Sequence, residues 1–499
     1  MQQLDWIVLA LFFLVMVIIG MWSYKQVATS GDFYVAGGKL PWWLSGISHH
    51  ISGYSGVVFV AYAGIAYTHG FTIYMWWALP VSVAVLVGSF IIAPRWARLR
   101  INQQIESPTE YLCKRYNLPT QQLMAWSGVL LKLFDVGAKW AAIAILLRGF
   151  TGIPLIWGVL LAGGISLIYI TVGGLWADIW TDLAQFIVQI IAGFAMFFIV
   201  LNMLGGIGGL STLWDDLPAE HANLFSDPYT ELFAVAFLII AFFSYNGGTW
   251  NLATRYISSP TGSDARKAAL LSGALYLVWP LILFFPMWAA PVILGDVANP
   301  EESYALLTQE LLPPGLVGLV LAAMFASTMS MTSSDANTIS AVITRDILPT
   351  LSERMRRLQE RRGLLLARAA TFGFTAATLV IAINEERFGG VIGLIVSWFA
   401  ALVGPVSIPM ILGLLPAFRH AGAREAIVSI LGGFTGFVVV NYAVDVSQAV
   451  ELVTPIAVSF VLFFVMSLLN RGKQPPADVT ELMRQLQRPA PGVDETLPS

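Results

Sequence analysis

The chain has 499 residues, a formal net charge of −3, 57% hydrophobic and 11% charged residues, and a mean hydropathy of +0.73. Soluble domains carry about 25% charged residues, so this chain lacks the polar surface to stand in water as a globule, and its surplus apolar surface calls for lipid. The balance of charge excludes the basic stripe of a nucleic-acid binder, and a single cysteine, Cys113, excludes an internal disulfide and any cysteine-based metal or haem site.

A helix needs about 20 apolar residues to cross about 30 Å of hydrocarbon. Thirteen apolar runs meet that length, near 5–25, 41–68, 73–94, 119–148, 153–172, 177–206, 229–250, 268–297, 315–346, 365–384, 389–416, 423–444 and 449–470. The first is read as a retained helix, not a secretory signal, because no Lys or Arg precedes it and Lys25 follows it. With the N-terminus outside, nearly all of the 27 Lys and Arg residues fall on the cytoplasmic side, Arg255 and the seven arginines from Arg345 to Arg368 among them. The loops 207–228 and 298–312 have neither Lys nor Arg. The predicted architecture is an all-α polytopic membrane protein with the C-terminus inside, ending in a polar tail.

Several spans carry polar interruptions. In the second, Gly46, Gly53 and Gly56 alternate with Ser48, Ser52 and Ser55, and His49 and His50 face different directions. One histidine faces a cavity, or both are structural. The fourth span places Lys132, Asp135 and Lys139 on one helical face. They form a self-neutralising packed triad, or a solute-binding group whose surplus positive charge favours an anionic or strongly hydrogen-bonding solute. In the sixth span Asp182 lies within the bilayer, where a carboxylate is costly and usually functional. Asp178 lies nearer the cytoplasmic end, which suggests a solvated residue. The seventh span ends at Gly247 and Gly248. Two glycine-broken spans five apart indicate inverted repeats with binding sites between them, unless the glycines serve only close packing. The ninth span packs eight hydroxyl residues into 327–340, a density of hard oxygens suited to an alkali cation. Trp76, Trp77, Trp250 and Trp398 are read as lipid-facing or packing residues.

The segments GGKLPWWLSGISHHISGYSG, GGLWADIWTDLAQ, TRYISSPTGSDARKAALLSG and MSMTSSDANTISAVITRDI resemble the sodium:solute symporter family, over about 30–420. The resemblance implies a LeuT-type fold of inverted five-helix repeats with about 13 transmembrane helices. The expected divisions are an extra helix at 1–29, a first repeat at 30–210, a second at 211–420, two further helices at 421–472 and a cytoplasmic tail at 473–499. It also implies alternating access driven by Na+. The family's common sodium site would fall on backbone oxygens of Ile51, Tyr54 and Ser327 and on the hydroxyl of Ser330. Its remaining hydroxyl position is Met331, whose thioether is a poor sodium ligand. Thr328, a water or a solute oxygen would have to stand in. A second sodium site of some relatives would fall on Ser330, Ser333, Ser334 and Asp182.

Solute positions carried by the resemblance depart from the galactose-type members, with Val58, Trp77, Pro80, Thr249 and Tyr276 where those have sugar-binding groups. Asp135 stands where sialic acid members have an arginine, and Lys139 lies a turn further on. The candidate solute contacts are Asp135, Lys139, Trp77, Val58, Thr249, Asn251, Tyr276, Ser397 and Trp398. The expected activity is Na+-coupled symport of a sugar, sugar acid or small organic anion by a monomer in a bacterial inner membrane. The alternative is a sodium-independent facilitator or exchanger, and a membrane sensor is a weaker third reading. No Walker sequence points to ATP, and no HExxH, nucleophile elbow or paired acidic motif points to an enzyme.

Overall fold

Apolar length and capping chemistry together set the helices of the computed structural model, which describes residues 1–384, 387, 404–444, 446 and 448–487. The first helix, α1 (Gln3–Ser23), carries in its first turn the buried Asp5, whose carboxylate accepts hydrogen bonds from the backbone N–H of Gly315 (2.7 Å) and Gly318 (3.0 Å). Leu11, Leu14 and Ile18 of α1 remain exposed. An apolar stripe of this kind belongs against lipid.

The second expected span is two helices, α2 (Trp42–Ile51) and α3 (Gly56–His69), bent by 51° across Ser52–Ser55. Then follow α4 (Tyr74–Ile91) and the shorter α5 (Ala93–Gln103). Helix α6 (Leu118–Thr151) is capped by the Asn117 side chain, which accepts from the N–H of Thr120, and it ends at Gly152. The runs 153–172 and 177–206 are joined in α7 (Leu155–Met203), 49 residues long. Straight, it would measure about 74 Å at 1.5 Å per residue, more than twice the hydrocarbon thickness. It is instead folded at Gly174 (φ 52, ψ −141). A Cβ there would come within 2.5 Å of the Phe33 carbonyl oxygen, so glycine is required for both reasons.

The seventh expected span is also broken. Helix α8 (Glu231–Gly248) ends at Gly247 (φ 118) and Trp250 (φ 73), and α9 (Asn251–Ile257) restarts behind them. Next come α10 (Gly262–Leu294), α11 (Leu316–Leu351) and α12 (Glu353–Ile383). The run 389–416 is described only from 404, in α13 (Gly404–Leu412). Two closing spans, α14 (Ala423–Tyr442) and α15 (Gln448–Leu469), pack on each other and on α13. Among the described residues, eight helices, the folded α7 counted once, are long and apolar enough to cross a membrane, and the bent α2–α3 pair makes a ninth. Part of the expected polar tail is an amphipathic helix, α16 (Ala477–Gln487), with Val479, Leu482, Met483 and Leu486 buried. It lies on α5, where the Arg98 guanidinium donates to the Leu486 carbonyl (3.0 Å).

The centre of the bundle is α11, packed on α7, α6, α12 and α1, with the unwound Ser52–Ser55 stretch against it. All eight of its hydroxyl residues between 327 and 340 are buried. A buried polar centre is thus wrapped in apolar packing, and exposed apolar side chains such as Leu11, Leu14, Ile187 and Phe198 cover the outside of the spans.

Candidate functional site

Two polar clusters flank the unwound backbone. The first borders a cavity of about 130 Å³ lined by Tyr54, Val58, Tyr62, Trp77, Asp135, Lys139, Tyr245, Thr249, Leu252 and Met331, with Gly53, Ser55, Val57 and Ser244. Gly53 lies in the break between α2 and α3, and Thr249 in the break after α8. Neither stretch uses its full set of helical hydrogen bonds internally, so the backbone there can face a cavity. Aromatic rings form the walls: Trp77 packs on Tyr62 (centroids 5.0 Å) and edge-on to Tyr54 (6.3 Å). Trp77 is thus a cavity wall and not a lipid-facing residue. Trp76 and Trp250 are buried as well.

At one side of this cavity the expected triad gains a fourth member. Lys132 Nζ lies 3.2 Å from Asp135 and 2.7 Å from Asp335, and Lys139 Nζ lies 2.6 Å from Asp135 and 3.2 Å from Asp335. Among the described residues, two lysines and two aspartates make a neutral square. The surplus positive charge expected from α6 alone is absent, because α11 supplies its counter-ion. All four side chains are at most 5% exposed, and Asp135 and Lys139 face the cavity.

The remaining expected solute contacts separate. Val58 and Thr249 line the cavity. Asn251 and Tyr276 sit behind it: the Asn251 amide donates to the Ser52 carbonyl (3.2 Å), and the Tyr276 hydroxyl to the His50 carbonyl (2.8 Å). Both hold the unwound stretch in shape. Ser397 and Trp398 lie outside the described residues. Neither histidine lines the cavity. His49 bonds Ser272 (2.7 Å) and the Tyr256 hydroxyl (2.8 Å), while His50 packs among Tyr54, Phe186 and Tyr276. Tyr62 and Tyr245 were not legible as site residues. Their sequence signal is only an aromatic beside a glycine-rich break.

The second cluster holds Ser330, Ser333, Ser334 and Asp182, together with two residues expected elsewhere. Asp178 is fully buried, not solvated: its carboxylate accepts from Ser333 and Ser334 and faces the guanidinium of Arg255 at 2.6 Å. Arg255, expected in a cytoplasmic loop, is fully buried too, because the α9 restart carries it inward. Its Nη2 also reaches Asp182 (3.2 Å), Ser52 (3.2 Å) and Ser334, and its Nε reaches Ser48 (2.9 Å). Ser48 and Ser52 donate to Asp182 Oδ2, and Ser52 bonds Ser330 (3.0 Å). Two carboxylates face one guanidinium, so with both carboxylates ionised the cluster is one positive charge short of neutrality. A net buried charge is expensive unless something pairs with it, and a monovalent cation fits both the deficit and the hard-oxygen donor set. Of the expected common sodium site, Ile51 ends α2 and Tyr54 lies within the break, bordering the cavity. The Ser327 hydroxyl bonds back to Met324, and Thr328 accepts from the Gly56 N–H (3.0 Å). Met331 faces the cavity.

A bundle whose two broken helices meet between a neutral polar cavity and an anionic hydroxyl cluster is a polytopic secondary transporter, not an enzyme. The chain belongs to the sodium:solute symporter family, whose model matches residues 33–465. It is 26% identical over 377 residues to a sodium/glucose cotransporter of Vibrio parahaemolyticus, covering 69% of this chain and 68% of the relative. It is 25% identical over 452 residues to the sodium/sialic acid symporter NanT of Aliivibrio fischeri, covering 86% of each. Its fold superposes on the substrate-bound, outward-open structure of a Na+-coupled sialic acid symporter with a TM-score of 0.83 at 20% identity, over 95% of this chain and 99% of that one. The LeuT-type fold implied by the family resemblance is thereby the fold of this chain.

Proposed function

We propose that this chain couples Na+ entry to uptake of a neutral polyhydroxylated solute of single-ring size, a monosaccharide or cyclitol. The neutral Lys132–Asp135–Lys139–Asp335 square carries the reading. A sugar hydroxyl both donates and accepts, so adjacent hydroxyls pair with Asp135 and Lys139 without disturbing the charge balance. Trp77 offers an apolar face for the ring's C–H surface. A cavity of about 130 Å³, near the roughly 150 Å³ that holds benzene, limits the cargo to one small ring and requires the walls to yield for a ring bearing hydroxyls. A carboxylate solute would need a surplus cation that Asp335 has cancelled. The relatives named for glucose or sialic acid are compatible with a polyol-type cargo, and the square favours the uncharged kind.

Sodium coupling is supported by the one-charge deficit of the Asp178–Asp182–Arg255 cluster. The repeat boundaries at 30–210 and 211–420, action as a monomer, and an N-out, C-in placement in a bacterial inner membrane complete the reading. The positive-inside distribution supports that placement. The test is a thermal-shift screen of neutral sugars, cyclitols and sugar acids with and without Na+, followed by uptake of the hit into proteoliposomes. Stabilisation by a neutral polyol only when Na+ is present is the expected result. Selective stabilisation by sugar acids would refute the solute class. Equal uptake in Na+ and in choline would favour the facilitator that Met331 makes the second reading.

A further inference from the structure

We propose that the cation paired with the anionic cluster sits on the far side of Asp182 from Arg255, held by Asp182 Oδ1 and the side-chain oxygen of Gln185, and not within the Ser330–Ser333–Ser334 trio. This deepens the sodium-coupled reading and rests on it. Each hydroxyl of the trio already has a protein partner. Ser333 and Ser334 donate to Asp178, Ser334 also meets the Arg255 guanidinium, and Ser330 bonds Ser52. A cation the chain carries itself, Arg255 Nη2, already sits between Asp178, Asp182 and Ser334.

Asp182 is used on one side only. Ser48, Ser52 and Arg255 all meet Oδ2, while Oδ1 is fully buried with no partner among the described residues. One turn along α7, at i+3 on the same face, Gln185 is also fully buried, and both its Oε1 and its Nε2 are without partners among the described residues. A buried carboxylate oxygen and a buried amide left unpaired cost roughly 1–3 kcal/mol each or more, and two of them adjacent on one helix face indicate a shared ligand. The next polar residue on this face, Gln189, cannot serve in the same way, because its Oε1 accepts from the Tyr54 hydroxyl (2.8 Å). Two hard oxygens, one of them anionic, with water completing the shell, suit a monovalent alkali cation.

The experiment measures Na+ binding directly, with no solute present. The intact purified chain is titrated with NaCl against choline chloride, reading thermal stabilisation and bound ²²Na+. Wild type is compared with Gln185→Leu, Gln185→Glu and Ser333→Ala. Removing the amide oxygen is expected to raise the half-saturating Na+ concentration at least roughly tenfold. Gln185→Glu, which keeps an oxygen and adds charge, should bind Na+ as well as wild type or better, which separates loss of a ligand from loss of fold. Ser333→Ala should shift Na+ binding much less than Gln185→Leu. Unchanged Na+ binding in Gln185→Leu, or a larger loss in Ser333→Ala, overturns the site and leaves the sodium-coupled reading standing. Wild type that binds no Na+ overturns that reading and this site with it. Stabilisation of wild type and Gln185→Leu by choline and Na+ alike marks a non-specific salt effect and also overturns the proposal.

Discussion

The neutral square can be broken at one corner with an isosteric change, Asp335→Asn. Asp335 lies 2.7 Å from Lys132 and 3.2 Å from Lys139. At an effective dielectric of about 20 these pairs are worth about 6 and about 5 kcal/mol of gross attraction. Relief from burying a carboxylate offsets much of that sum, and breaking a buried pair at one partner costs about 3–5 kcal/mol net. In a chain of this length about 1–2 °C of Tm corresponds to 1 kcal/mol, by extension of the trend for smaller domains. Asp335→Asn should therefore lower Tm by roughly 3–10 °C. Adding Lys132→Met removes the stranded charge and leaves Lys139 paired with Asp135, 2.6 Å away. The double variant should recover more than half of the loss. The single variant also leaves the cavity wall one charge positive, so it should bind a sugar acid more tightly than wild type does. The assays are differential scanning fluorimetry in detergent and competition of solute uptake by sugar acids. A single variant as stable as wild type, or a double variant no better than the single, would refute the charge-balance argument for both stability and solute choice.

Trp77→Ala removes the flat wall of the cavity, and the KM for solute should rise about tenfold, equivalent to about 1.4 kcal/mol, with half-saturating Na+ in a solute-free titration unchanged. Met331→Ser introduces a hydroxyl at the cavity where the thioether now stands, and should raise apparent Na+ affinity several-fold in uptake assays; a null result would mean Met331 lies outside the cation path. On the side of the α5–α6 connection, burial pushes the Glu106 carboxyl above the usual carboxylate range, with Glu110 and Asp32 adding to it and Arg345 opposing. A raised carboxyl favours the protonated folded chain, so its contribution is whole below about pH 4.3 and is lost as pH rises through the raised value. Glu106→Gln, neutral throughout, should exceed wild type in Tm at pH 8, and the two should converge in acid.

Much of the fold was legible because lipid imposes simple rules. Span lengths follow from bilayer thickness, and breaks at Gly53 and Gly247 were visible because glycine inside an apolar helix is conspicuous. The solute cavity was legible in part. Asp135 and Lys139 share a helical face, and that periodicity is local. Trp77 was placed only by resemblance.

Counter-ions were another matter. Asp335 cancels the charge of α6 from 196 residues away in the chain, and Arg255 enters the hydroxyl cluster because the helix restarts after Trp250. Local sequence determined the all-helical membrane fold, the two breaks and the stock of polar groups. Only the tertiary structure decided the net charge of each cluster: neutral at the solute cavity and negative at the cation site. The physical reason is that buried charge is set by which side chains meet across helices, and Coulomb energy depends on distance in space, not on separation along the chain.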